Sequence, residues 1–175
     1  MITLYLARHG QTKENTMRIF QGHLPGELTD EGIKQAKELG KELENIHIDC
    51  IISSDLKRVT DTVGYAMAKR NIPWEKNKLL REIDWGMWTG LKIESVNVKN
   101  PPKDAETKEM LYERAKSFID YLKSNYDGKH VLVVAHGLIN RSIQANIEGA
   151  EINKLHTIPH MKNAEVRKFI IRDIQ

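Results

Sequence analysis

The stretch "HVLVVAHG", residues 130–137, decides the fold. From Val131 to Ala135 no polar residue interrupts the run, and valine favours the extended backbone. A strand that is apolar at every position has to be covered on both faces. That is the situation at the centre of a parallel sheet with helices above and below it. The run stops at His136-Gly137, where the apolar interior gives way to polar groups. Near the start of the chain, "LYLARHG", residues 4–10, repeats the pattern: a strand, then Arg8, His9 and Gly10.

Working outward, Thr3 to Ala7 reads as the first strand. Residues 12–27, with Gly22, Pro25 and Gly26, read as a loop. Thr29 or Asp30 can cap a helix whose core stripe is Ile33, Ala36, Leu39, Leu43 and Ile46. "IDCIISS", 48–54, is a second buried strand. A helix follows from Asp55 through Leu56, Val59, Val63, Ala66 and Arg70, with Ser53, Ser54 and Asp55 as possible caps and the proline of "NIP" ending it. "WEKNKLLREI" has room for a short strand. A third helix spans Thr107 to Asn125 on Leu111, Ala115, Phe118, Ile119 and Leu122. A fourth follows His136 through Ile139, Ile143 and Ile147, and "AEVRKFII", 164–171, is a last strand. This alternation predicts a three-layer α/β/α sandwich with a mostly parallel central sheet. No linker or repeat divides it, so residues 1–175 are expected to form a single domain.

Composition narrows the function classes. The formal net charge of +3 is too small and too scattered to argue for nucleic acid, though it suits an anionic small substrate. No apolar run approaches the roughly 20 residues of a membrane span. "MITLYLARHG" lacks the basic start and long apolar core of a signal peptide. The lone Cys50 leaves no internal disulfide, fits a reducing compartment, and reads as a buried, inert thiol. A cytoplasmic protein without membrane or nucleic-acid partners is expected.

In parallel sheets the ligand crevice lies beyond the carboxyl ends of the strands. There stand Arg8, His9 and Gly10 after the first strand, and Ser53, Ser54 and Asp55 after the second, with Arg58 one turn into the helix. His136 and Gly137 follow the long apolar strand. Two guanidiniums offer forked, permanently charged donors for phosphate oxygens. A histidine beside phosphate can act as nucleophile or as donor. Each histidine is followed by glycine, which lets backbone approach a ligand closely. The set reads as a phosphate site with a histidine nucleophile. A leaving oxygen also needs a proton. Glu82 in "LREIDWGMWTG" lies among apolar neighbours that would raise its pKa and keep it protonated, and Asp84 is the rival acid.

These stretches resemble a known family. "LYLARHGQTKEN…FQGHLPGELTDEGIKQA", "SSDLKRVTDTV", "LREIDWGMWTG", "AET…ERAKSF" and "VLVVAHG" are similar, in this order, to the blocks of the histidine phosphatase superfamily, in its phosphoglycerate-mutase-like branch. The resemblance implies a phosphoryl-accepting nucleophile at His9. It implies that Arg8, Arg58 and His136 hold the phosphate oxygens, and that Glu82 is the acid and then the base. Asn15, Gln21 and Gly22 match a loop that covers the substrate, Thr12 matches a hydroxyl near the phosphate, and Gly137 lies in the last block. No metal or other cofactor is implied. Three positions depart from the family pattern: Thr89, Leu138 and Ala105-Glu106-Thr107. They bear on specificity and leave the catalytic groups in place.

Mutases of this kind carry a long basic insert after the acid block. Residues 90–107 here are few and offer only Lys92, Lys99 and Lys103. Hydrolysis of a small phosphate monoester is therefore expected, with α-ribazole phosphate and sugar phosphates among the implied substrates. Trp85, Met87 and Trp88 could form an apolar wall for an aromatic ester or simply pack a loop. The alternatives are a mutase-type phosphoryl transferase, a non-catalytic phospho-ligand-binding module, and a metallohydrolase using His9, His136 and Glu82 as ligands.

Overall fold

The structure is a computed structural model that describes residues 1–172. Five strands form one sheet in the order β3-β2-β4-β1-β5: β1 Ile2–Arg8, β2 Cys50–Ser53, β3 Trp74–Lys76, β4 His130–Ala135 and β5 Val166–Ile171. β1, β2, β3 and β4 are mutually parallel, and β5 runs antiparallel along β1 at one edge. The apolar run from residue 131 to 135 is a central strand and wholly buried, as a strand covered on both faces must be.

Side chains alternate across the sheet, so each strand feeds two cores. Leu4, Leu6, Ile52, Val131, Val133 and Ala135 face one core, with Leu111, Phe118 and Leu122 of helix α4 (Lys108–Asn125) and Ile139 and Ile143 of helix α5 (Gly137–Glu148). Tyr5, Ala7, Ile51, Leu132 and Val134 face the other, against Leu39 and Leu43 of α2 (Asp30–Leu43) and Val59 and Val63 of α3 (Lys57–Ala66). The predicted three-layer sandwich is thus present.

Local differences from the sequence reading have physical causes. The loop expected over 12–27 contains a short helix, α1 (Lys13–Met17). Thr12 accepts from the Asn15 N–H, and the Asn15 side chain accepts from the Thr12 N–H, a reciprocal capping box. Thr29 caps α2 as expected. Ile33 and Ile46 are only half-buried, while Gly32 is buried in the stripe. Helix α3 begins after Leu56 without a side-chain cap, because leucine at the N-cap position has no acceptor; Asp55, one residue earlier, is paired with Arg81 (Nη2 to Oδ2, 2.7 Å). Arg70 is no core residue: its guanidinium donates to the carbonyls of Leu43 and Ile46 and closes the end of α2. Cys50 is half-buried rather than buried. Desolvation, helped by Asp49 and Glu75, pushes its thiol up to about 11, which keeps it protonated at neutral pH.

Candidate active site

The sheet register brings the ends of the central strands together. Arg8 stands opposite Ala135 and Ser53 opposite Val134. The next backbone bonds continue each ladder, His9 N–H to Ala135 O at 3.1 Å and Ser54 N–H to Val134 O at 3.1 Å. His9 and His136 therefore leave neighbouring strands side by side, with ring centroids 5.3 Å apart and planes at 65°. Both are almost fully enclosed, at 2 % and 0 % exposure.

Burial sets their protonation. Desolvation, then the charges of Arg58 and Arg8, hold the His9 pKa well below the usual histidine range. His136 is lowered in the same way, by burial first and Arg58 next. The His9 Nδ1 lies 2.7 Å from the Gly10 carbonyl, which can only accept. The ring proton therefore sits on Nδ1, and Nε2 carries a free lone pair. His136 pairs through Nε2 with Ser54 Oγ at 2.8 Å, and its buried Nδ1 has no partner. Ser54 Oγ already accepts from the Leu56 N–H. We assign its proton to His136 Nε2, which puts the imidazole proton on Nδ1.

Two guanidiniums complete the cluster. Arg58 is 1 % exposed and donates through Nη1 and Nη2 to the carbonyls of Leu24 and Gly22. Arg8 donates through Nη1 to Met161 O at 2.8 Å. In both, the buried Nε has no partner. Burial draws both pKa values down, Arg58 to about 10, with Glu82 the largest opposing influence on each; both stay cationic at neutral pH. Two Nε–H groups and the His136 Nδ1–H are thus buried, unpaired donors around a nucleophilic nitrogen. Such donors suit an anion with several oxygens.

Glu82 sits on a loop between two 3₁₀ turns, Lys78–Leu80 and Gly86–Trp88. Its surroundings are polar, not the apolar pocket expected. Oε1 accepts from the N–H groups of Ile83 (3.0 Å) and Ile139 (3.1 Å), and Oε2 accepts from that of Leu138 (3.1 Å). Two of the three donors, Leu138 and Ile139, come from the first turn of α5, a strand-to-helix junction that sequence could not assign to the acid loop. Asp84 accepts from Gly86 N–H and lines a separate crevice with Arg81 and Arg114. The geometry thus brings Glu82, and not Asp84, towards the two arginines.

The other predicted residues are held by contacts within the fold. Thr12 is fully buried and, besides capping α1, donates to Gln21 Oε1 at 3.1 Å. Asn15 also accepts from Asn163. Gly22, at φ +50°, turns its carbonyl to Arg58. A side chain on Gly10 would collide with Gly32 of α2, so its smallness serves helix packing. Gly137 packs beside Arg8, where a Cβ would meet the guanidinium at 3.4 Å.

Several residues at the site escape a reading by sequence. Thr62 accepts from the Gly10 N–H and donates to Arg58 O. Asn140 donates to Ala7 O, and Asn163 to His9 O. His23, by contrast, stands in the substrate-loop segment of the sequence and is a pocket candidate from it; it donates to Glu82 O at 2.8 Å. His160 sits by Arg141, and burial with the charges of Arg141 and Arg8 lowers its pKa. Arg114 of α4 pairs with Glu106 and donates to the carbonyls of Leu79, Arg81 and Glu82. Only the position of Arg114 inside "ERAKSF" pointed to it.

Among the described residues no helix is long and apolar enough to cross a membrane. Among the same residues no group of three or more His, Cys, Asp or Glu is arranged to hold a metal ion.

Comparison with known proteins agrees with this geometry. Residues 4–174 match the profile of the histidine phosphatase superfamily (branch 1). Phosphoserine phosphatase 1 of Hydrogenobacter thermophilus is 31% identical over 168 residues, covering 88% of this chain and 80% of that protein. The adenosylcobalamin/alpha-ribazole phosphatase of Salmonella typhimurium is 30% identical, covering 76% of this chain and 73% of its own. The solved structure of Bacillus stearothermophilus YhfR superposes with a TM-score of 0.90 at 28% identity, covering 96% of this chain and 90% of that one. Sheet, paired histidines and sequence together place this chain in the histidine phosphatase superfamily, branch 1.

Proposed function

We propose that the protein is a phosphomonoesterase that hydrolyses a small phosphorylated metabolite through a phosphohistidine on His9. The observation that carries this reading is the free Nε2 lone pair of a neutral, buried His9 beside unpaired donors on Arg8, Arg58 and His136.

In the first step His9 Nε2 bonds to phosphorus and the phosphorus–ester oxygen bond breaks. Its electron pair stays on the leaving oxygen, which takes a proton from the Glu82 carboxyl and departs as the alcohol. Arg8, Arg58 and His136 neutralise the equatorial oxygens, which is most of the work in phosphoryl transfer. In the second step Glu82, now a carboxylate, removes a proton from water. The hydroxide oxygen bonds to phosphorus, the phosphorus–nitrogen bond breaks, and phosphate leaves with His9 neutral again. Return of the phosphate to a second substrate is disfavoured by the short 90–107 segment and its three lysines.

Glu82→Gln tests the acid. The expected loss in kcat on an alkyl phosphate is about 10²- to 10⁴-fold. Turnover within a few-fold of the parent enzyme across the pH range would overturn the assignment.

A further inference from the structure

The four groups around the phosphate say nothing about the alcohol that leaves. That alcohol has to depart past Glu82. A cavity of about 1120 Å³ is lined by residues that adjoin Glu82, though not by Glu82 itself or the phosphate-side groups. Ile83, the next residue in the chain, lines it. So does Leu138, whose N–H holds Glu82 Oε2. Phe20 packs against Trp85 with centroids 4.7 Å apart and stacks on Trp88 at 5.3 Å, and all three rings face the cavity. Leu111 of α4 adds a further apolar surface.

The apolar wall suspected from sequence is therefore real but differently built. Met87 is 77% exposed and turns away, and Phe20 takes its place. Lys103, Lys108, Glu109, Asn153 and His156 form a polar border, and two further polar groups there are committed elsewhere. Glu106 is paired with Arg114, and Arg141 donates to Ile158 O and lies against His160. Leu138 is itself one of the three departures from the family pattern, and it stands on this wall.

A pocket of this size accommodates a body far larger than a serine or glycerol unit. A small polar alcohol would leave the aromatic faces against water, whereas a flat apolar body would cover them and gain by doing so. Resting on the hydrolase reading above, we propose that this cavity is the leaving-group subsite. The preferred substrates are then phosphate monoesters of bulky, flat, largely apolar alcohols.

The test uses esters that share a primary alkyl oxygen, so that intrinsic reactivity stays nearly constant: ethyl phosphate, butyl phosphate, 2-(1-naphthyl)ethyl phosphate and O-phosphoserine. The kcat/KM value should rise at least about tenfold from the ethyl to the naphthylethyl ester, a factor within reach of apolar pocket contacts. Trp88→Ala in the wall should cut that ratio at least about threefold by the same contacts. Val98→Glu should do so too; Val98 lines the cavity at a solvent-exposed position, so this variant keeps the test alive if the tryptophan variant misfolds. Ethyl and naphthylethyl esters hydrolysed within twofold of each other, or a faster reaction of O-phosphoserine, would overturn the subsite while the hydrolase reading stands. No hydrolysis of any ester, with no phosphate on His9, would overturn both.

Discussion

His9 and Glu82 are held in place by opposite means. His9 extends β1 by one residue and is fixed by the ladder bond to Ala135 O, with a core layer on either side. Glu82 has no ladder. It rides on an irregular segment whose position depends on side chains and a helix end: Arg114 with Glu106, His23, and the N–H groups of Leu138 and Ile139. Backbone geometry gives the nucleophile a rigid mount that tolerates change nearby. The acid depends on contacts that a single substitution can remove.

Substitutions can break that contrast. The largest effect is expected on the phosphate side. Arg58→Ala removes a buried cation and strands the carbonyls of Gly22 and Leu24. Loss of one such donor should lower kcat/KM by about 10²- to 10³-fold, and the melting temperature should fall with it. Steady-state kinetics and thermal unfolding read the two together, and a change under tenfold in kcat/KM would remove Arg58 from the phosphate site.

Arg114→Met addresses the acid side. Arg114 lies outside the catalytic cluster and reaches it mainly through the loop that carries Glu82, with a smaller effect of its charge on His136. On ethyl phosphate kcat should fall about 10- to 100-fold with KM little changed, a fraction of what general-acid catalysis supplies. On p-nitrophenyl phosphate, whose leaving oxygen needs little protonation, the loss should stay under about threefold by the same reasoning. Equal losses on both esters would reduce Arg114 to a structural residue.

The smallest expected effect is on stability against pH. His9 and His136 have folded pKa values well below the usual range, so they remain neutral in the fold. The unfolded chain takes up protons on them as pH falls through about 6.5. The unfolded state then binds more protons, and stability is lost as pH drops from about 7 towards 5.5, by at most about 1.4 kcal/mol per pH unit for each histidine. Urea unfolding across that window should show a falling midpoint, with a shallower slope in His136→Asn. A flat midpoint would mean that the two rings are not held neutral.

The same contrast explains what could be read from sequence. Strand-borne groups were legible because "HVLVVAHG" and "LYLARHG" announce both the strand and what stands at its end, and sheet register does the rest. Arg58 was legible through its place in the first turn of the helix after β2. The acid loop was legible only by resemblance: residue spacing left Glu82 and Asp84 open, and an apolar setting was expected where backbone donors were found. Partners distant in sequence carry little local signal: Asn163 before β5 has none, and Arg114 on α4 has only its place in "ERAKSF". Contacts spanning 32 residues from Arg114 to Glu82 and 154 from Asn163 to His9 exist only once the chain is folded.

The most direct test of the account is chemical. Enzyme mixed with a phosphate ester labelled in its phosphoryl group and quenched in base within milliseconds should carry acid-labile, base-stable label on His9. The label should be absent in His9→Asn and should persist longer in Glu82→Gln, where the second step lacks its base. Label on another residue, or rapid turnover by His9→Asn, would contradict the claim that His9 takes the phosphate.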